Sequence, residues 1–167
     1  MSIKEIKIDK VTVNMGVGQS GEELEKAMKV LEKITGAKPV KTLCKVKQPG
    51  WGIRPGLAIG TKVTLRRVLA EKFLKEALKA KDNQLKEKSF DKQGNFGFGV
   101  KEYIDLPNIK YDPQYGIRGF DVLVSLQRAG YRVKKRKIKK QKLPVRHVIN
   151  KTEAIDFVKK SFGVEIV

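Results

Sequence analysis

The stretch from Lys10 to Met15 alternates strictly. Val11, Val13 and Met15 are apolar, and Lys10, Thr12 and Asn14 between them are polar. Successive side chains of a strand point to opposite faces, so this segment buries one face and leaves the other wet. A strand covered on both faces by crossover helices reads as a continuous apolar run instead. The same alternation returns over residues 57 to 66, where Val63 and Leu65 oppose Lys62, Thr64 and Arg66. Two such strands constrain the fold to a mixed or antiparallel sheet with helices packed on one face and the other face open and polar.

The rest of the chain fits that plan. The first strand is expected over residues 3 to 15 and the first helix over 22 to 35, with Leu24, Ala27, Met28, Leu31 and Ile34 at helical spacing. Ser20 and Glu23 read as a capping box, and Gly36 as the stop. A second strand is expected over 39 to 47, a Gly/Pro loop over 48 to 56, and a second helix over 68 to 81 with Leu69, Phe73, Leu74, Ala77 and Leu78 as its buried stripe. Residues 82 to 95 read as a polar loop. "FGFGVKEY" and "GFDVLVSL" read as strands, with Phe96 and Phe98 in the core. A last helix, 152 to 162, is expected to be capped by Thr152. With no repeat and no linker visible, the α+β chain reads as a single domain, 1–167, with a basic extension at about 132 to 146.

Between the first strand and helix lies Gly16-x-Gly18-x-x-Gly21, the spacing of a dinucleotide-binding turn. Three features oppose that reading. The strand alternates rather than running apolar. The acid expected about 20 residues onward to hold a ribose is missing, because after Glu32 the next acid is Glu71 and nine basic residues lie between. No second nucleotide-binding half follows. The remaining enzyme reading is a small NADP- or phosphate-ligand-binding protein using this turn; otherwise the glycines allow a turn or carry the backbone close to another phosphate chain.

Charge points away from small metabolites. The chain has 37 Lys and Arg against 18 Asp and Glu, a net +19. Such a field suits a polyanion, since each neutralised phosphate releases a counterion. One histidine and one cysteine do not make a zinc site, and no nucleophile neighbours His147 in sequence. Cys44 shares a strand face with Val40, Thr42 and Val46 and reads as packed. No catalytic residue, metal or cofactor is expected, and neither a secretory leader nor a membrane span is visible.

Period-two counting places Thr12, Asn14, Lys41, Lys45, Lys62, Thr64 and Arg66 on the polar side of the sheet. Neutral hydrogen-bonders ringed by cations suit phosphate and sugar contacts. The loop 48 to 56 carries a planar stacker, Trp51, beside Arg54, three glycines and two prolines, and reads as flexible. From Arg128 to Lys151 there is no acid, while Arg128, Arg132, Lys134, Lys135, Arg136, Lys137, Lys139, Lys140, Lys142 and Arg146 crowd the stretch with His147. That density should leave the run disordered or extended until an anion screens it.

Four segments together resemble the ribosomal protein L-five family, archaeal form: "VNMGVG", "TLCKVKQPGWGIRPGLAIGTKVTLR", "IDLPNIKYDPQYGIRGFDVLVSLQRAGYRV" and "RHVINKTEAIDFVKKSFGV". The resemblance implies a cytoplasmic constituent of the large ribosomal subunit. It implies 5S rRNA docking through Asn14, Met15, Gly16 and Gly18, with Thr42, Thr64 and Arg66 nearby. It implies that Gln48, Pro49, Gly50, Trp51, Gly52 and Arg54 reach toward P-site tRNA. It further implies contacts with 23S rRNA, with neighbouring large-subunit proteins and with a small-subunit head protein through an intersubunit bridge. The run "KKRKIKKQK" is variable in this family and is read from its charge alone.

Overall fold

The computed structural model describes residues 3–107 and 109–167. The alternating segment forms β1 (Ile6–Gly16), and the first helical stripe forms α1 (Glu22–Thr35). There follow β2 (Val40–Leu43), β3 (Ala58–Leu65), α2 (Arg67–Lys79), β4 (Gln84–Leu85), β5 (Phe96–Val100), β6 (Phe120–Arg128), α3 (Arg132–Lys135), α4 (Lys151–Phe162) and β7 (Glu165–Ile166). Five strands hydrogen-bond in the order β2-β3-β1-β6-β5, an antiparallel sheet, so the α+β expectation holds. β4 and β7 form a separate parallel pair. The chain divides into two compact units. The first holds Met1–Val11, Arg66–Phe98 and Val124–Val167, and the second Thr12–Leu65 and Gly99–Leu123.

In the second unit α1 packs against β3. Leu24, Ala27, Val30 and Leu31 are buried on the helix, and Thr61, Val63 and Leu65 on the strand. Each Leu or Val so buried is worth about 1.5–3 kcal/mol. Gly36 ends the helix at φ 64°, a left-handed value that favours glycine. The start differs from expectation. Gly21 is the N-cap, with no side-chain cap, and Glu23 turns instead to Arg118 and Lys26. The Arg118 guanidinium, more than Lys26, holds the Glu23 carboxyl below its usual range. An ion pair to a residue distant in sequence takes the carboxylate that a capping box would have used.

β2 is shorter than expected and its faces are inverted. Val40 pairs with Lys62, Lys41 with Thr61 and Thr42 with Gly60. Directly paired residues share a face. Val40 and Thr42 therefore lie on the polar side with Lys62, and Lys41 lies on the side of buried Thr61. Val40, Leu43 and Val46 are exposed, and Cys44 is half-buried with its thiol donating to the Val46 carbonyl. The packed face expected around Cys44 does not form. β2 ends the sheet order, so one of its hydrogen-bonding edges is unpaired, and the register slips between Thr42 and Leu43.

In the first unit α2 buries Ala70, Phe73, Leu74, Ala77 and Leu78. Leu69 is exposed, so the stripe runs one position later at its start. The "polar loop" holds β4, whose Leu85 is buried against β7, and a 3-10 turn over Glu87–Ser89. Phe90 stacks on Phe96 at 5.0 Å, and Phe96 and Phe98 are core residues as expected. Gly94 (φ 76°) sits under Ile149, where a Cβ would approach Ile149 Cγ2 to 2.7 Å. Before α4 the N-cap is Asn150 rather than Thr152, and the Glu153 carboxylate accepts from the Asn150 N–H at 3.0 Å. Among the described residues no helix is long and apolar enough to cross a membrane.

Candidate nucleic-acid interface

In the second unit the polar side of the sheet carries Thr12 and Asn14 on β1, Thr42 on β2, and Lys62 and Thr64 on β3. Thr12, Asn14 and Thr42 are half-buried, and Lys62 and Thr64 are exposed. None of these five side chains hydrogen-bonds to another described residue. Their polar atoms are therefore open to solvent rather than used within the chain. Lys41 departs to the other side, and Lys45 lies past the end of β2, exposed.

The glycine turn follows β1. The N–H groups of Val17 and Gly18 both donate to the Ile59 carbonyl, at 3.0 and 2.8 Å. Gly16 and Gly18 are exposed, with open space where a Cβ would stand. Met15 is 2% exposed as a whole residue, backbone included, so it is not presented at the surface as its two glycine neighbours are. Close approach is set by Gly60. A Cβ there would meet Thr42 Oγ1 at 2.8 Å and the Met15 carbonyl at 3.0 Å. The turn does lie between strand and helix as a dinucleotide turn would. Here, however, the strand after the helix, β2, does not pair with β1; β3 lies between them, so the adjacent parallel strands of a dinucleotide-binding unit are not built.

The loop between β2 and β3 is more ordered than its glycines suggested. Cys44 and Leu57 continue the hairpin at 2.8 Å, and Gln48 exchanges both backbone bonds with Ile53, at 3.0 and 3.1 Å. A 3-10 turn over Pro49–Trp51 closes the tip, with Gly52 at φ 66°. The result presents Trp51, 78% exposed, while Ile53 tucks inward at 8%. Gln48, Pro49, Gly50, Gly52 and Arg54 are exposed around it.

The basic residues of the first unit divide into two groups. Some are used internally. Arg128 is only 7% exposed and pairs with Glu153 at 2.8 Å, leaving its Nε buried without a partner. It is not presented as a phosphate contact. Arg66 and Lys135 both reach the carboxylate of Asp9, an inward acid that sequence reasoning did not single out. His147 Nε2 lies 2.8 Å from the Ala129 carbonyl, and its ring stands edge-on to Tyr131. The other group is exposed: Arg132, Lys134, Arg136, Lys137, Lys139, Lys140, Lys142 and Arg146. The run is not featureless. α3 opens it, Gln141 N–H donates to the Val133 carbonyl at 3.3 Å, and Arg136 Nε donates to the Lys139 carbonyl at 2.7 Å. Lys139 takes φ 52°, and Ile138 stands exposed at the tip. Among the described residues there is no group of three or more His, Cys, Asp or Glu placed to hold a metal.

Comparison with known proteins gives the class first, a ribosomal protein of the large subunit. A family model of ribosomal protein L5 matches residues 2–54, and one of the C-terminus of the ribosomal L5 family matches residues 58–163. The chain belongs to the ribosomal protein L5 family. It is 50% identical over 163 residues to large ribosomal subunit protein uL5 of Methanococcus aeolicus, covering 96% of this chain and 90% of that one. It is 51% identical over 166 residues to uL5 of Nanoarchaeum equitans, with 99% and 98% covered. Against uL5 of Sulfolobus acidocaldarius the figures are 48% over 164 residues, with 98% and 92% covered. The protein is therefore a constituent of the large ribosomal subunit, in the cytoplasm with the ribosome, among rRNA and other ribosomal proteins. The family is one of structural ribosomal proteins, which favours the ribosomal reading of the glycine turn over the small-enzyme one.

Proposed function

We propose that the second unit docks 5S rRNA through Thr12, Asn14, Thr42, Lys62 and Thr64, with the backbone of Gly16 and Gly18 against the ribose-phosphate chain. The observation that carries this is the set of five aligned polar side chains without internal partners. Lys45 adds charge at the margin. Arg66, held by Asp9, adds its positive charge without a free hydrogen-bonding fork. The exposed cations of residues 132–146 hold 23S rRNA phosphates, and the loop that displays Trp51 and Arg54 meets P-site tRNA. Contact with neighbouring large-subunit proteins and a bridge to the small-subunit head follow from the family resemblance, with no residue of this chain assigned to them.

Asn14→Ala tests the central claim. Asn14 has no internal hydrogen bond, so its loss leaves the fold intact and removes only an outward one. A hydrogen bond to a charged phosphate is worth about 1.5–3 kcal/mol, or a 10- to 150-fold weaker 5S rRNA complex. The variant is expected to melt with the wild type and to bind 5S rRNA at least tenfold more weakly in a filter-binding titration at fixed salt. Unchanged affinity removes this face from the interface.

A further inference from the structure

The first unit contains a cleft of about 450 Å³ that no reading above uses. Lys10, Lys134, Lys135, Lys140 and the carboxylate of Asp9 line it, together with Gln93, Asn95, Ser125 and Tyr131 and the apolar side chains of Leu126, Leu143 and Val148. The volume lies in the range of sites for small organic ligands. A site for bare phosphate needs only cations and amides. Here three of the twelve lining side chains are apolar, and two neutral groups are free.

Each polar group has a distinct status. Lys135 is neutralised by Asp9, whose carboxylate also takes Arg66. Lys10, Lys134 and Lys140 have no ion-pair partner among the described residues. Asn95 is spent on the floor, accepting from Leu126 N–H at 3.3 Å and donating to Asp91 at 2.8 Å. The Gln93 carboxamide and the Ser125 hydroxyl have no hydrogen-bond partner among the described residues. The Tyr131 ring is fixed, because its hydroxyl accepts from Ile149 N–H at 2.9 Å. A neighbouring cleft of about 490 Å³ shares Lys134, Lys140, Leu143 and Val148, so these four residues separate two openings.

We propose that this cleft holds one unstacked nucleotide of ribosomal RNA. Its phosphate lies on Lys10, Lys134 and Lys140, its base lies against Leu143 and Val148, and the base edge meets Gln93 and Ser125. Single-stranded or extruded bases are what proteins read in RNA, by stacking and by edge hydrogen bonds. The inference rests on the proposal that the basic segment contacts rRNA, and deepens it from phosphate clamping to recognition of a base.

The test is a titration of the isotope-labelled full chain, followed by amide chemical shifts, with AMP and CMP and, at matched ionic strength, inorganic phosphate. The nucleotides are expected to shift Ser125, Leu143, Val148 and the Gln93 side-chain amide saturably, while phosphate moves only Lys10 and the Lys134 to Lys140 segment. Ser125→Val with Gln93→Ala should weaken nucleotide binding at least fivefold and leave phosphate binding unchanged. Lys140→Gln, at an exposed position, should weaken both. Phosphate reproducing the whole nucleotide pattern, or no saturable shift in the cleft, overturns the proposal. If wild-type protein still binds 23S rRNA with a steep salt dependence while the cleft stays silent, only the nucleotide site falls. If replacing the run's lysines leaves that salt dependence untouched, the rRNA reading beneath it falls as well.

Discussion

Trp51 and Ile53 stand two residues apart in one loop and should respond oppositely to truncation. Trp51 is 78% exposed and Ile53 is 8%. Removing an exposed ring forfeits little folded-state contact, so Trp51→Ala should change stability by no more than about 0.5 kcal/mol. Ile53→Ala removes buried methyl groups from a site whose backbone is pinned on both sides by Gln48, which limits collapse into the hole. Core truncations of this kind cost about 2–5 kcal/mol, and a loop position belongs near the lower end, about 2 kcal/mol. In a chain of this size that is a fall in Tm of about 4–8 °C for Ile53→Ala, against about 2 °C or less for Trp51→Ala. Thermal unfolding of the two variants reads this directly. Ribosomes carrying Trp51→Ala should in turn retain P-site tRNA less well, because the ring is offered to solvent and to nothing in the chain. Deleting residues 50 to 54 would confuse the two effects, since it removes Ile53 with the tip. A Trp51→Ala protein that melts as early as Ile53→Ala, or ribosomes that retain tRNA unchanged, would refute the reasoning.

Three further outcomes are expected. The Glu153 carboxyl is held below its usual range by the Asn150 backbone N–H and then by Arg128. Its contribution is present above the ordinary carboxylate range and is lost as pH falls through the lowered value, so Glu153→Gln should flatten the acid limb of a stability-versus-pH curve below about pH 4.5. Gly60→Val should unfold or strongly destabilise the second unit, because the collision is with a backbone carbonyl as well as Thr42; soluble, wild-type melting would contradict the packing described at that site. Replacing exposed lysines of the 134–142 run with glutamine should lower the salt slope of total rRNA affinity by about one unit per lost contact while the preference for 5S rRNA over random RNA persists, both read from binding at several salt concentrations.

Much of the fold was legible because its signals are periodic. β1, β3 and α1 each repeat their pattern over several residues, and tertiary packing agreed with it. β2 was misread because period two fixes which residues share a face but not which face is inward. That sign came from pairing Val40 with Lys62, a partner that lies outside any local window. The two cap errors have a similar source. Ser20 and Glu23 have the right spacing, but Arg118, distant in sequence, takes the carboxylate. β4 and β7 have two residues each, too short for any period. At the interface, exposed lysines were readable from composition. What composition could not separate was Arg128, which serves Glu153, from the cations that face outward. Lys10 was within reach, because it continues the alternation of Thr12 and Asn14; the cleft beside it was not, since its walls come from four separated segments.

The outermost strand of the sheet has a consequence for the chain before it meets any RNA. A terminal strand with Val40 and Leu43 bare, and Val46 bare just beyond it, invites another copy to add itself edge to edge, the first step of aggregation. β2 offers very little to copy. It is four residues long, its register slips after Thr42, and Lys41 and Lys45 bring like charge to any second copy lying alongside. The apolar surface can stay available for a partner because the backbone beside it is a poor template. A longer, straighter edge carrying the same exposed side chains would be a better template for such pairing.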